Sequence, residues 1–232
     1  MVVVCAPDYL PGQEFMALVR RADTLVLGDT FQYSRQSFQN RARVRSPQGW
    51  HWLTIPLLGK QHGRPIRNTR IDRRTDWAAA HRRSVQYNYK TAPFYDYYID
   101  ALMALWAAAG DTLGPLTCAS VEWLAQWLAS HAVVWRASRL EGAPSDIGAI
   151  CEVLGRGDVL LPPSRIRHDA HLVADPHVAT IHMPAYPQNF EGFEPGLSAL
   201  DLLFTQGPEA GRLLDAAIVG VERVQIGRST RR

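Results

Sequence analysis

Residues 2–29 read VVVCAPDYLPGQEFMALVRRADTLVLGD, and this stretch sets the fold class. Val2 to Ala6 is a short β-branched run without alternation, the pattern of a strand buried on both faces, as in a parallel sheet. Pro7 and Pro11 bracket a turn. Apolar residues at Phe15, Leu18, Val19 and Ala22 predict a helix from Gln13 to Ala22. Thr24 to Leu27 is a second buried strand, ended by Gly28-Asp29. Strand, loop, helix and strand in this order form a βαβ unit, whose crossover is right-handed. The PDYLP loop and Gly28-Asp29 then both lie at strand carboxyl ends, where open α/β sheets bind ligands.

Outward from that unit, Phe38–Val44 and Trp50–Leu57 read as extended runs joined by a Ser46-Pro47-Gln48-Gly49 turn, a β-hairpin. Gly59 to Arg74 is a polar, Arg-rich loop with a short strand. Asp76 caps a helix from Trp77 to about Tyr89. Phe94–Ala109 and Ser120–Ser130 give two further helices. The α/β rhythm then returns, with strands at Ala132–Trp135, Asp158–Leu161 and Val178–Met183 and a helix at Pro144–Leu154. A last helix opens at Ser198, in a Ser-Ala-Leu-Asp pattern that resembles a capping box. The expected architecture is α/β: a Rossmann-like, mainly parallel sheet with a β-hairpin and a helical middle section. Residues 1–227 form a single domain, with a helical subdomain at about 76–131 and a basic tail at 228–232.

The net charge is only +3, but its distribution is uneven. From Arg35 to Arg83 there are 12 basic residues and two acids, so the remainder of the chain is acidic. A basic segment of this kind indicates an anionic partner. Charged residues at 20% and hydrophobic residues at 47% describe a globular chain and exclude a disordered one. No apolar run reaches the roughly 18 residues of a membrane span. The short apolar start has no basic region before it, so no signal peptide is expected. The three cysteines lack any CxxC spacing and read as buried, reduced thiols of a cytoplasmic protein.

Several residues invite a chemical reading. Asp29 at a strand end meets a sugar hydroxyl or a cation, or else caps its own turn. Gln32 follows closely and lines the same crevice. Arg41, Arg43 and Arg45 lie two apart, on one strand face, with Arg35 and Asn40 nearby. They grip phosphate, or else form a solvated face. The basic run with Trp50, Trp52 and Trp77 would also suit single-stranded nucleic acid, but no nucleic-acid motif accompanies it. His168, His171, His177 and His182 are close in sequence, yet HExxH, HxH and a Cys partner are all absent, so no metal is expected. GxSxG, P-loop and GxGxxG patterns are absent too, and the sequence identifies no cofactor. Asp201 sits in an apolar run three residues after Ser198, where a capping role explains it.

In order and spacing, these pieces resemble the WbqC-like protein family. They are Pro7-x-Tyr9-x-Pro11, Ala22-Asp23, LVLGDTFQ from Leu25 to Gln32, and Asn40-Arg41. Trp52-Leu53-Thr54-x-Pro56, Tyr89-x-x-Ala92-Pro93-x-Tyr95 and a YPQ…F…LSALDLLF…G signature from Tyr186 to Gly207 follow. The chain departs from the family pattern at Ala6, where Gln is usual, at Gly28-Asp29, where Asp-Asp is usual, and over Pro162 to Pro176. The opening topology is also similar to that of the nucleotidylyltransferase and pantothenate-synthetase superfamily. This chain lacks the histidines of that superfamily's HxGH motif.

The resemblance implies a link to O-antigen and other surface-polysaccharide gene clusters, and through them to acyl or aminoacyl transfer onto a nucleotide-activated amino sugar. The expected protein is therefore a cytoplasmic enzyme with a small phosphorylated substrate. Asp29 and Gln32 orient hydroxyls or an amine, with Asp29 as general base; Asn40, Arg41 and Arg43 hold phosphates, and Tyr9 and Gln188 complete the pocket. The alternative is a non-catalytic protein that binds RNA or a biosynthetic partner.

Overall fold

A computed structural model describes residues 1–61, 63–163 and 166–224, apart from the side chains of Arg167 and His168. The strands are β1 (Val2–Cys5), β2 (Thr24–Leu27), β3 (Arg41–Ser46), β4 (Gly49–Thr54), β5 (Val133–Arg136), β6 (Asp158–Leu161), β7 (Asp175–Ile181) and β8 (Ile218–Arg223). The helices are α1 (Gln13–Arg21), α2 (Trp77–Tyr89), α3 (Tyr95–Ala107), α4 (Leu113–Trp127), α5 (Ile147–Leu154), α6 (Ile166–Asp169), α7 (Ala199–Gln206) and α8 (Ala210–Ala217). Six strands form one sheet in the order β5-β2-β1-β6-β7-β8, and β3 and β4 form a separate antiparallel hairpin. Only the β7–β8 pair of the large sheet is antiparallel.

The expected α/β class, mainly parallel sheet and hairpin are all present. The β1–α1–β2 unit follows the sequence pattern closely, with Val2 paired to Thr24 and Cys5 to Leu27. Alternate residues of β1 feed two different cores. Val3 packs with Leu25, Leu27 and Leu160 against α1, α4 and α7. Val2 and Val4 pack with Val26, Val159 and Leu161 against Ile147 and Ile150 of α5. A strand with apolar cover on both faces needs no polar alternation, which is why VVVC reads as a continuous run.

Several elements differ from expectation. Helix α4 starts at Leu113, not Ser120, because Gly114 and Pro115 belong inside it. Pro115 lies in the first turn, where no amide donor is required. A Cβ on Gly114 would come within 2.4 Å of the Arg67 Cα, so this close packing admits only glycine. Strand β7 starts at Asp175, not Val178. Pro176 lacks a donor, but its carbonyl accepts the Val224 amide. Helix α8 and strand β8 had no expected counterpart, and β8 closes the sheet as its antiparallel edge. The basic tail at 228–232 lies outside the described residues. No helix among the described residues is long and apolar enough to cross a membrane.

Candidate functional site

Strand β1 is the centre of the site. Its neighbours β2 and β6 carry the chain away to opposite sides of the sheet. A crevice opens at the carboxyl end of such a strand because the connections leave in opposite directions. Here it is a cavity of about 750 Å³, lined by Cys5 and Ala6 at the strand end, Asp8 in the following loop and the first turn of α1. Phe31, Arg43, Ile147 and Pro162 form other parts of the wall.

The β1–α1 loop is pinned from outside. The Tyr9 amide donates to the Phe38 carbonyl at 2.9 Å. The Leu10 amide donates to Ser120 Oγ of α4, and that hydroxyl lies 3.1 Å from the Asp8 carbonyl oxygen. Leu10 takes a left-handed φ of 43°, which is costly for a branched residue and persists because these bonds define the loop. The outcome is that Tyr9 turns into the core while Asp8 faces the cavity. The Asp8 carboxylate has no hydrogen-bond or ion-pair partner among the described residues. Desolvation pushes its pKa up to about 7. A carboxyl group of this kind exchanges a proton near neutral pH, as general acid–base chemistry requires.

Two further groups at the cavity carry unused bonding capacity. Arg43 lies with its guanidinium carbon 3.9 Å from the centroid of the Trp50 ring, and its Nε is buried without a partner. Gly12 supplies no capping side chain to α1, and the Glu14 and Phe15 amides of its first turn have no acceptor among the described residues. Orphan amides at a helix start favour a negatively charged group.

Behind α1 lies a buried polar network. Asp201 of α7 is fully buried and accepts the Tyr89 hydroxyl at 2.9 Å and the Tyr186 hydroxyl at 2.6 Å. Burial pushes its pKa up to about 6, against the opposing pull of both hydroxyls and of Arg45. Tyr186 in turn accepts from Gln13 Nε2 and, at 3.3 Å, from Gln188 Nε2. The capping-box expectation for Asp201 is therefore corrected. Ser198 does cap α7 through the Leu200 amide, but its own amide is taken by the Arg43 carbonyl. The Asp201 carboxylate serves the two tyrosines instead.

The structure separates the residues singled out in the sequence. Gln32 and Arg43 line the cavity; Tyr9, Asp29, Asn40, Arg41 and Gln188 do not. Both Asp29 carboxylate oxygens are engaged by Ser138, one by its amide at 2.9 Å and one by its hydroxyl at 2.6 Å. Tyr9 bonds His81 Nδ1 at 2.9 Å inside the core. Asn40 joins Tyr33 to the Ile55 carbonyl. Arg41 stacks on Trp52 and donates to the Ser37 and Gln36 carbonyls. Gln188 pins both the amide and the carbonyl of Glu194. The three hairpin arginines share a face but not a role, since Arg45 is buried and donates to the Ser46, Gly49 and Glu191 carbonyls. Asp8 and Gln13 were not singled out. The two prolines marked the loop that holds Asp8, but no sequence signal says which of its residues faces inward. Among the described residues, no group of three or more His, Cys, Asp or Glu is placed to hold a metal ion, and the His168 side chain lies outside them.

Sheet order and cavity define an α/β protein with a cavity at the switch point of a mainly parallel sheet. Residues 6–213 match the model of the WbqC-like protein family, and the chain belongs to that family. It is 28% identical, over 221 residues, to a protein of Mycobacterium tuberculosis (strain ATCC 25618 / H37Rv) named "Uncharacterized protein Rv1507c". That match spans 90% of this chain and 95% of the relative. No solved structure matches the chain.

Proposed function

We propose that this chain is a cytoplasmic enzyme that transfers an acyl or aminoacyl group onto the amine of a nucleotide-activated sugar, bound in the cavity beside β1. The observation that carries this reading is the unpaired Asp8 carboxylate at the cavity wall, raised to about 7 by desolvation. In this reading Asp8, not Asp29, is the general base. The amine forms a new C–N bond at the carbonyl of an activated acyl donor such as a thioester. The donor's C–S bond breaks, the thiolate leaves with its electron pair, and Asp8 takes the proton that the amine loses. Arg43 and the free amides at the start of α1 receive phosphate oxygens, the arginine in a bidentate manner.

Isothermal titration with a panel of nucleotide sugars tests the reading. Wild type is expected to bind at least one of them saturably. Arg43→Gln is expected to weaken that binding by about tenfold or more, as loss of a charge-assisted bond does. Asp8→Asn is expected to bind but to lose turnover. Steeply salt-dependent RNA binding with no nucleotide-sugar binding would overturn the reading in favour of a nucleic-acid partner.

A further inference from the structure

Gln13 is almost fully buried at the first position of α1, and it lines the cavity. Its amide orientation follows from the network behind it. Asp201, as a carboxylate, has only acceptors to offer, so the single Tyr186 proton goes to Asp201 at 2.6 Å. The Tyr186 oxygen is left as an acceptor, and whatever Gln13 presents to it must be a donor. That donor is Nε2, joined on the other side by Gln188 Nε2 at 3.3 Å. The Gln13 oxygen is thereby turned away from the network, and it is buried with no partner. A buried carbonyl oxygen without a donor loses its hydration for nothing, so it is rarely left so unless something else satisfies it.

From this arrangement we infer that Gln13 Oε1 is a specificity-determining acceptor that reads an N–H or O–H donor on the substrate, together with the Asp8 carboxylate. These two acceptors favour an amine or a polyol, and Arg43 and the α1 amides on the same cavity favour an anion. The site thus takes a ligand that carries both, a donor-rich head and an anionic tail. This deepens the nucleotide-sugar reading and rests on it for the tail alone. Gln13 touches the ligand directly, and Tyr186 and Asp201 are the positioning residues that set the direction of its amide.

The test uses three probes on the full chain: UDP-glucosamine, UDP and free glucosamine, measured by isothermal titration in wild type, Gln13→Leu and Tyr186→Phe. Wild type is expected to bind UDP-glucosamine more tightly than UDP. Gln13→Leu is expected to lose about tenfold on UDP-glucosamine and on glucosamine, while its affinity for UDP stays within twofold. Tyr186→Phe frees the amide to rotate and is expected to show a smaller loss on the same two probes only. It carries the test alone if Gln13→Leu does not fold. Equal losses on all three probes, or no loss on any, overturn the inference. Wild type that binds UDP but gains nothing from the amino sugar overturns it and leaves the nucleotide reading standing. Wild type that binds glucosamine but not UDP keeps the inference and removes the nucleotide. Binding of none of the probes overturns both.

Discussion

The Tyr186 hydroxyl donates to the Asp201 carboxylate over 2.6 Å inside the core, and this bond couples the C-terminal segment to the wall of the cavity. Asp201 also holds Tyr89, whose hydroxyl accepts the Arg45 amide at 2.8 Å. One carboxylate therefore ties together α7, α2, the hairpin and, through Tyr186 and Gln13, the start of α1.

Replacing Asp201 by Ala leaves two buried tyrosine hydroxyls without an acceptor. The expected loss is about 2–4 kcal/mol of folding stability, read from urea unfolding of the variant and the wild type. Asp201→Asn keeps one acceptor and should lose less.

The hairpin arginines should divide sharply. Arg45 donates to three carbonyls from a buried position, so Arg45→Ala should destabilise by about 2–4 kcal/mol. Arg43 is held by little more than its stacking on Trp50, and Arg43→Gln should cost under about 1 kcal/mol. Thermal unfolding of both variants checks the contrast. A comparable loss in Arg43→Gln would mean that Arg43, too, is structural.

Asp8 makes stability depend on pH. Its folded-state pKa, about 7, lies above the ordinary value of 3.8, so between these limits the folded state holds the extra proton. Stability from this group is full below the ordinary carboxylate value and is lost as pH rises toward 7. Asp8→Asn should therefore be more stable than wild type at pH 8, by on the order of 4 kcal/mol. The two proteins should converge near pH 4, as thermal melts at both pH values will show.

Gly28 lies so close to the Phe31 ring that an added Cβ would meet it at 2.5 Å. Gly28→Ala should force Phe31, a cavity-wall residue, to move, costing about 1–3 kcal/mol. Adding Phe31→Ala should restore part of that loss in the double variant, because it removes the clashing ring. The Phe31 ring occupies the space that any side chain at position 28 would need.

The β1–α1–β2 unit was legible because its signals are local: run length, helical spacing and the prolines at the turn. The hairpin was legible for the same reason. The site was only half legible. The PDYLP loop was marked, but Tyr9 was chosen where Asp8 faces the cavity. That choice is decided by the left-handed Leu10 and by Ser120, more than a hundred residues away, which leave no trace in the loop itself. Asp201 looked like a cap because the Ser-x-x-Asp spacing is local, whereas its real partner Tyr89 is 112 residues distant. Asp29 had the right place at a strand end, but its oxygens are taken by Ser138 of a distant turn. Local chemistry names which residue types are present; tertiary bonds decide which of them are left free to act.

A carboxyl-carbon NMR titration of Asp8, in the free protein and with UDP-glucosamine bound, tests the proposed site most directly. The expected midpoint is near 7 in the free protein, shifting downward when an ammonium group sits beside the carboxylate. A midpoint at the ordinary carboxylate value, unmoved by the ligand, would contradict both the site and its proposed base.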